Sequence, residues 1–184
     1  MKLPLPPKNI LFVKPPDRFL EDEFVYQQLG PHYLQSFLKQ YEIPSDILVL
    51  YEQSDVRSKR ESGEKNEITL DDLNMLFLGA DGNSIDTAFD STIFQNYNIV
   101  ALSVMSPQAK DAYLISQLIN SLYPQITTVI GGSHPRYYQK QVESLPNSMA
   151  FDFIVPQDGW VPIYKIAAGQ IRKTKKSIVL IDNS

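Results

Sequence analysis

The hydrophobic residues of this chain fall into short blocks whose periodicity switches repeatedly between that of a strand and that of a helix. Asn9 to Val13 is an apolar run stopped by Lys14-Pro15-Pro16, the pattern of a strand covered on both faces and ended by residues that cannot continue a ladder. After Gly30-Pro31, the residues Leu34, Phe37, Leu38 and Tyr41 recur at i, i+3, i+4 and i+7, which makes one apolar helix face. Asp46 to Tyr51 is a second strand. Leu70 to Phe77 suits a helix or an edge segment, Gly79 to Ser84 a turn, and Ile85 to Phe94 a short helix.

The pattern is sharpest from Asn98 onward. Ile99 to Val104 is a third strand, and Ser106-Pro107 opens a helix, with serine able to cap and proline preset for the first turn. Ile115, Leu118, Ile119 and Leu122 form its expected buried stripe, and Tyr123-Pro124 ends it. Ile126 to Ile130 is a fourth strand, Gly131-Gly132-Ser133-His134-Pro135 its loop, and a helix follows as far as Ser144. Phe151 to Val155 is a fifth strand, Gln157-Asp158-Gly159 its loop, Val161 to Ala168 a short helix, and Ile178 to Ile181 a further strand. Such alternation predicts an α/β fold: a flavodoxin-like, Rossmann-like, doubly wound five-stranded parallel sheet with helices on both faces. Ligands of such sheets enter at the carboxyl ends of the strands, where the strand order reverses. The loops beginning at Lys14, Met105, Gly131 and Gln157 are expected to gather there.

Composition narrows the uses of that opening. The 184 residues, 43% of them hydrophobic, suit a single domain over residues 1–184 with a core at about 9–170. Residues 53–67 carry eight charges and no aromatic residue, as expected of a mobile polar insertion. Residues 171–184 read as an edge strand or the start of a connection to a missing domain. Seventeen basic against 21 acidic residues, a formal charge of −4, argue against nucleic acid as a partner. No run reaches membrane-spanning length and no signal peptide is legible, so the expected location is cytoplasmic. The chain has no cysteine, which excludes thiolate zinc and iron–sulfur ligation by its own residues.

Known chemistries of the fold can be eliminated in turn. A phosphorelay receiver needs acidic residues after the first and third strands, where this chain has Lys14-Pro15-Pro16 and Ser103. No glycine occurs between Met1 and Leu29, so the dinucleotide fingerprint is missing, as is a phosphate loop. Ser103 sits on no Gly-x-Ser-x-Gly elbow, and the two histidines, His32 and His134, belong to no ligand cluster. What remains is Ser103-Val104-Met105 followed, after 25 residues, by Gly131-Gly132. Read by themselves, the serine is a small residue at a strand end or a hydrogen-bonding group. The glycines are a turn or a place where a ligand comes close to backbone.

The Ser103-x-Met105 pair, its spacing and Gly131-Gly132 resemble the second and third parts of the cobalamin-binding domain signature. The blocks Ile10 to Pro16, Leu29-Gly30-Pro31 with Tyr33-Leu34, Val129 to Pro135, and Asp152 to Val155 followed by Gln157-Asp158-Gly159 are similar to the subfamily fused to the N-terminus of radical S-adenosylmethionine enzymes. The resemblance spans roughly residues 9–170. It implies a cofactor, cobalamin, whose dimethylbenzimidazole tail lies in the slot after the third and fourth strands. The residues it assigns to that cofactor are Pro15, Pro16, Ser103, Met105, Ser106, Gly131, Gly132, Ser133, His134, Pro135, Gln157, Asp158 and Gly159. Met105 would pack on tail or corrin, and Pro15 and Pro16 would form a floor beneath the corrin.

Two departures qualify the likeness. The family's Asp-x-His-x-x-Gly motif is absent from the loop after the first strand, which implies base-off cobalamin with no histidine ligand to cobalt, as in many members of that subfamily. Gln157-Asp158-Gly159-Trp160 stands where Gly-Glu-Gly-Glu is usual. The resemblance further implies a parent radical S-adenosylmethionine methyltransferase. S-adenosylmethionine and a 4Fe-4S cluster would be held only by a missing downstream domain, the chain's partner, and the chain would have no turnover of its own. The alternatives are a flavodoxin-like docking or regulatory module that has lost the cofactor and, third, an enzyme with a hydrolytic site.

Overall fold

The computed structural model describes residues 8–18, 29–52, 58–59, 61–64, 75–78, 85–88, 90–174 and 177–180. Its strands are β1 (Ile10–Lys14), β2 (Ser45–Glu52), β3 (Met75–Leu78), β4 (Ile85–Ala88), β5 (Ile99–Ser103), β6 (Thr127–Gly131), β7 (Phe153–Ile154) and β8 (Ile178–Val179). The helices are α1 (Leu29–Lys39), α2 (Ala109–Leu122), α3 (Ser133–Glu143) and α4 (Trp160–Ala167). They form one sheet in the order β4-β3-β2-β1-β5-β6-β7-β8. This is a Rossmann-like, flavodoxin-like α/β fold.

Two corrections to the sequence reading concern the sheet. Its parallel part has six strands among the described residues, not five, because β8 pairs in parallel with β7. On the other side β3 and β4 add an antiparallel hairpin to β2. The expected helix at Ile85 to Phe94 is therefore strand β4 followed by a 3-10 turn over Ser91–Asn96, which Asp90 caps by accepting from the Thr92 N–H at 2.9 Å. Four-residue strands at an edge carry too little periodicity to be told from a helical turn. Most of the polar stretch 53–67, residues 70–74 and the turn at 79–84 lie outside the described residues.

Alternation along the strands divides the core into two layers. Ile10 and Phe12 of β1, Ile99 and Ala101 of β5 and Val129 of β6 pack with Leu38 of α1 and with Ile163 and Ile166 of α4. Leu11, Val13, Val100, Leu102 and Ile130 turn the other way, against Ala112, Ile115 and Ile119 of α2 and Val142 of α3. The expected stripe on α2 packs on the core at Ile115, Leu118 and Ile119 but not at Leu122. Ala112, Ile115 and Ile119 are fully buried, whereas Leu122, the last residue of the helix, is 54% exposed.

The loop after β1 is tied down by charge. Arg18 donates from Nε to both Asp111 carboxylate oxygens (3.1 and 3.0 Å), from Nη2 to Asp111 Oδ1 (2.7 Å), and from Nη1 to Glu52. All three side chains are almost wholly buried. Desolvation would lower the Arg18 pKa, but the two carboxylates outweigh it and hold the guanidinium charged. Burial raises the Asp111 pKa against the opposing pull of Arg18. The ion pairs fasten the carboxyl end of β1 to β2 and to the first turn of α2.

Among the described residues, no helix is long and apolar enough to cross a membrane.

Candidate functional site

The carboxyl ends of β5 and β6 meet in register, with Ala101 opposite Val129 and Ser103 opposite Gly131. The lower row continues to Phe12 on β1 and to Phe153 on β7. Read across the sheet it runs Phe, Ala, Val, Phe, so the layer facing α1 and α4 is deeply notched at the middle strands. One step higher, Ser103 and Gly131 leave still less side chain. The notch is the floor of a cavity of about 410 Å³, within the size range of small-molecule sites.

Its walls come from the two helices of that layer. Tyr33 and Leu34 of α1 face Trp160 and Ile163 of α4, with the loop Gln157-Asp158-Gly159 between β7 and α4 at the mouth. Tyr33 and Trp160 meet edge to face at 4.7 Å, and Phe37 supports Trp160 at 5.7 Å. Such aromatic contacts fix the spacing of the two helices at the entrance. Gly159 lies against Leu34, and a Cβ there would make ordinary contact with it at 3.5 Å. The interior is apolar, with Phe12, Ala101, Val129, Val155 and Ile163 all buried, whereas Gln157, Asp158 and Tyr33 are exposed at the rim.

The thirteen residues assigned from the sequence divide cleanly. Ser103, Gly131, Gly132, Gln157, Asp158 and Gly159 line the cavity. Pro15, Pro16, Met105, Ser106, Ser133, His134 and Pro135 lie outside its lining. Pro15 and Pro16 are buried in the loop that Arg18 secures, and Met105 is 42% exposed at the start of the 3-10 turn before α2. The residues that sequence reasoning missed are the floor and walls: Phe12, Ala101, Val129, Tyr33 and Leu34. A usable signal existed for two of them. Ala101 and Val129 stand two positions before Ser103 and Gly131, hence on the same faces of their strands.

The two glycines differ in what they do. Gly131 is open toward the cavity, its nearest neighbour to an added Cβ being the Val155 carbonyl oxygen at 3.8 Å. Gly132 has φ +96°, and a Cβ there would stand 2.6 and 2.7 Å from the Val104 oxygen and nitrogen. That close approach belongs to the fold itself. Val104 donates its N–H to the Gly131 carbonyl, and its own carbonyl accepts from the His134 N–H, both at 2.9 Å.

His134 is buried, at 3% exposure. Its Nδ1 lies 3.2 Å from Ser106 Oγ and its Nε2 2.7 Å from the Tyr113 hydroxyl. The ring stacks on Tyr138 at 5.2 Å. Burial lowers its pKa. These contacts hold the loop after β6 against the start of α2, on the opposite side of the sheet from the α1–α4 layer.

Comparison of the chain with protein-family models, with curated proteins and with solved structures found no match.

Proposed function

We propose that this chain is a cobalamin-binding module that takes the nucleotide tail of the cofactor into the α1–α4 slot. It would serve as the N-terminal part of a radical S-adenosylmethionine methyltransferase-type enzyme. The supporting observation is the slot itself: an apolar cavity of about 410 Å³ at the carboxyl ends of β5, β6 and β7, with Ser103 and Gly131 side by side on its inner edge. The residues present fit the group. Gly131 offers bare backbone toward the space, and the Ser103 hydroxyl has no hydrogen-bond partner among the described residues. A flat ring can lie on that backbone and accept from that hydroxyl.

Bound cobalamin would supply methyl-group transfer; this chain's residues bind and orient it and exclude water from its tail. In this reading no protein histidine sits on cobalt. The loop Lys14 to Arg18 contains none, His134 is engaged by Ser106 and Tyr113, and His32 is exposed on α1.

The test is titration with hydroxocobalamin followed by desalting. Retained pink protein with a shifted spectrum is the expected result, lost in Gly131→Leu at an unchanged melting temperature. A cooperatively folded wild-type protein that retains no corrinoid at micromolar concentration overturns the reading in favour of the docking module. The parent-enzyme part is tested by the coding sequence beyond Ser184, which should encode a Cys-x-x-x-Cys-x-x-Cys motif.

A further inference from the structure

Resting on that reading, we infer that the slot selects corrinoids by their nucleotide base, taking a benzimidazole tail in preference to an adenine tail, and that Ala101 sets the depth available to the base. The argument is one of polar matching. The inner part of the slot is built from Phe12, Ala101, Val129, Val155 and Ile163, none with a polar side-chain atom. Ser103 is the polar side chain on the inner edge, while Gln157 and Asp158 are exposed at the mouth.

A benzimidazole joined to its ribose has one ring nitrogen left to accept a hydrogen bond, which the Ser103 hydroxyl can donate. The rest of its outline is carbon, which matches the apolar floor. An adenine of similar size carries an exocyclic amine and further ring nitrogens. Carried to the same depth, those groups leave water and meet hydrocarbon, and a buried polar group without a partner is penalised. An apolar pocket rejects a polar analogue of similar shape only moderately, by about a hundredfold at most.

The depth follows from the strand register. Ala101 stands between Phe12 and Val129 in the same row across the sheet. Its methyl group is all that keeps the floor low beneath Ser103. A leucine there would project into the volume the base would fill, without reaching the mouth or the loops over the strand ends.

The experiment compares three corrinoids on the full chain: hydroxocobalamin, its adenine-tailed analogue, and cobinamide, which has no nucleotide tail. Wild-type protein should bind hydroxocobalamin at least tenfold more tightly than the adenine analogue. Ala101→Leu should lose at least tenfold in cobalamin affinity while its cobinamide affinity stays within twofold of wild type. Equal affinity of the wild type for the two tails overturns the selectivity, and undiminished cobalamin binding by folded Ala101→Leu overturns the role of Ala101. Should Ala101→Leu fail to fold, Ala101→Val makes the same test with a smaller intrusion and a proportionately smaller loss. A wild-type protein that binds neither tailed corrinoid overturns the functional reading itself, a different outcome from binding both alike.

Discussion

A Cβ built on Gly132 would stand 2.6 Å from the carbonyl oxygen of Val104, closer than side-chain carbon and backbone oxygen can approach. The loop after β6 thus lies directly on the residue that follows Ser103, held by hydrogen bonds on both sides of the contact. Gly132 also has ψ −168° with φ +96°, a region open essentially to glycine alone. Gly132→Ala should therefore cost about 3 kcal/mol or more, strain and clash together. Urea denaturation would measure it; a loss below about 0.5 kcal/mol, the scale of an ordinary surface change, would refute the close approach.

The neighbouring glycine should behave oppositely. Gly131 has room for a methyl group and ends a strand, where glycine contributes no packing. Gly131→Ala should leave stability within about 0.5 kcal/mol of wild type, read from the same denaturation curves. Two adjacent glycines with such different responses would separate a requirement of the fold from an opening for a ligand.

Arg18 makes a third prediction. Removing it takes away the guanidinium that bridges the buried Asp111 and Glu52 carboxylates. Arg18→Met should destabilise by about 3 to 5 kcal/mol, whereas replacing the whole cluster with apolar residues should recover much of that loss. A single-variant loss near zero would show that the three groups are not buried together in solution.

The pH dependence of stability should carry the signature of His134. Its folded pKa is depressed by burial, so below an ordinary pKa of about 6.5 the unfolded chain takes up the proton more readily. The contribution is present in full above that value and is lost as pH falls toward the folded pKa. Melting temperature should decline as pH falls below about 6.5, and His134→Gln should flatten that part of the profile. An unchanged profile in the variant would locate the titration elsewhere.

Trp160, the single tryptophan, forms part of the slot wall. Its fluorescence should be quenched as a corrinoid fills the site, since the corrin absorbs where indole emits. Quenching that saturates with the retained cofactor, and is missing in Gly131→Leu, is the expected result. Retention without quenching would put the corrinoid away from α4.

Much of this architecture is legible without coordinates. The strand blocks, the helices between them and the doubly wound order follow from periodicity and from the handedness of crossovers, and these bring the loops at Ser103, Gly131 and Gln157 to one edge. The hairpin β3–β4 and the extra strand β8 were less legible, because short edge strands owe their form to the neighbour they pair with.

The site divides the same way. The chain order alone determined that Ser103 and Gly131 stand at strand ends; only the register made them neighbours across β5 and β6. The sequence likewise contained Ala101, but an alanine in an apolar strand says nothing until Phe12 and Val129 flank it and leave a notch. His134 and Gly132 show the limit most directly. The resemblance assigns both to the cofactor; the structure adds that His134 packs on Ser106 and Tyr113, and that Gly132, which lines the slot, also lies against the Val104 backbone. Periodicity is a property of consecutive residues, whereas close packing is decided between segments far apart in the chain, so the elements could be read early and the slot could not.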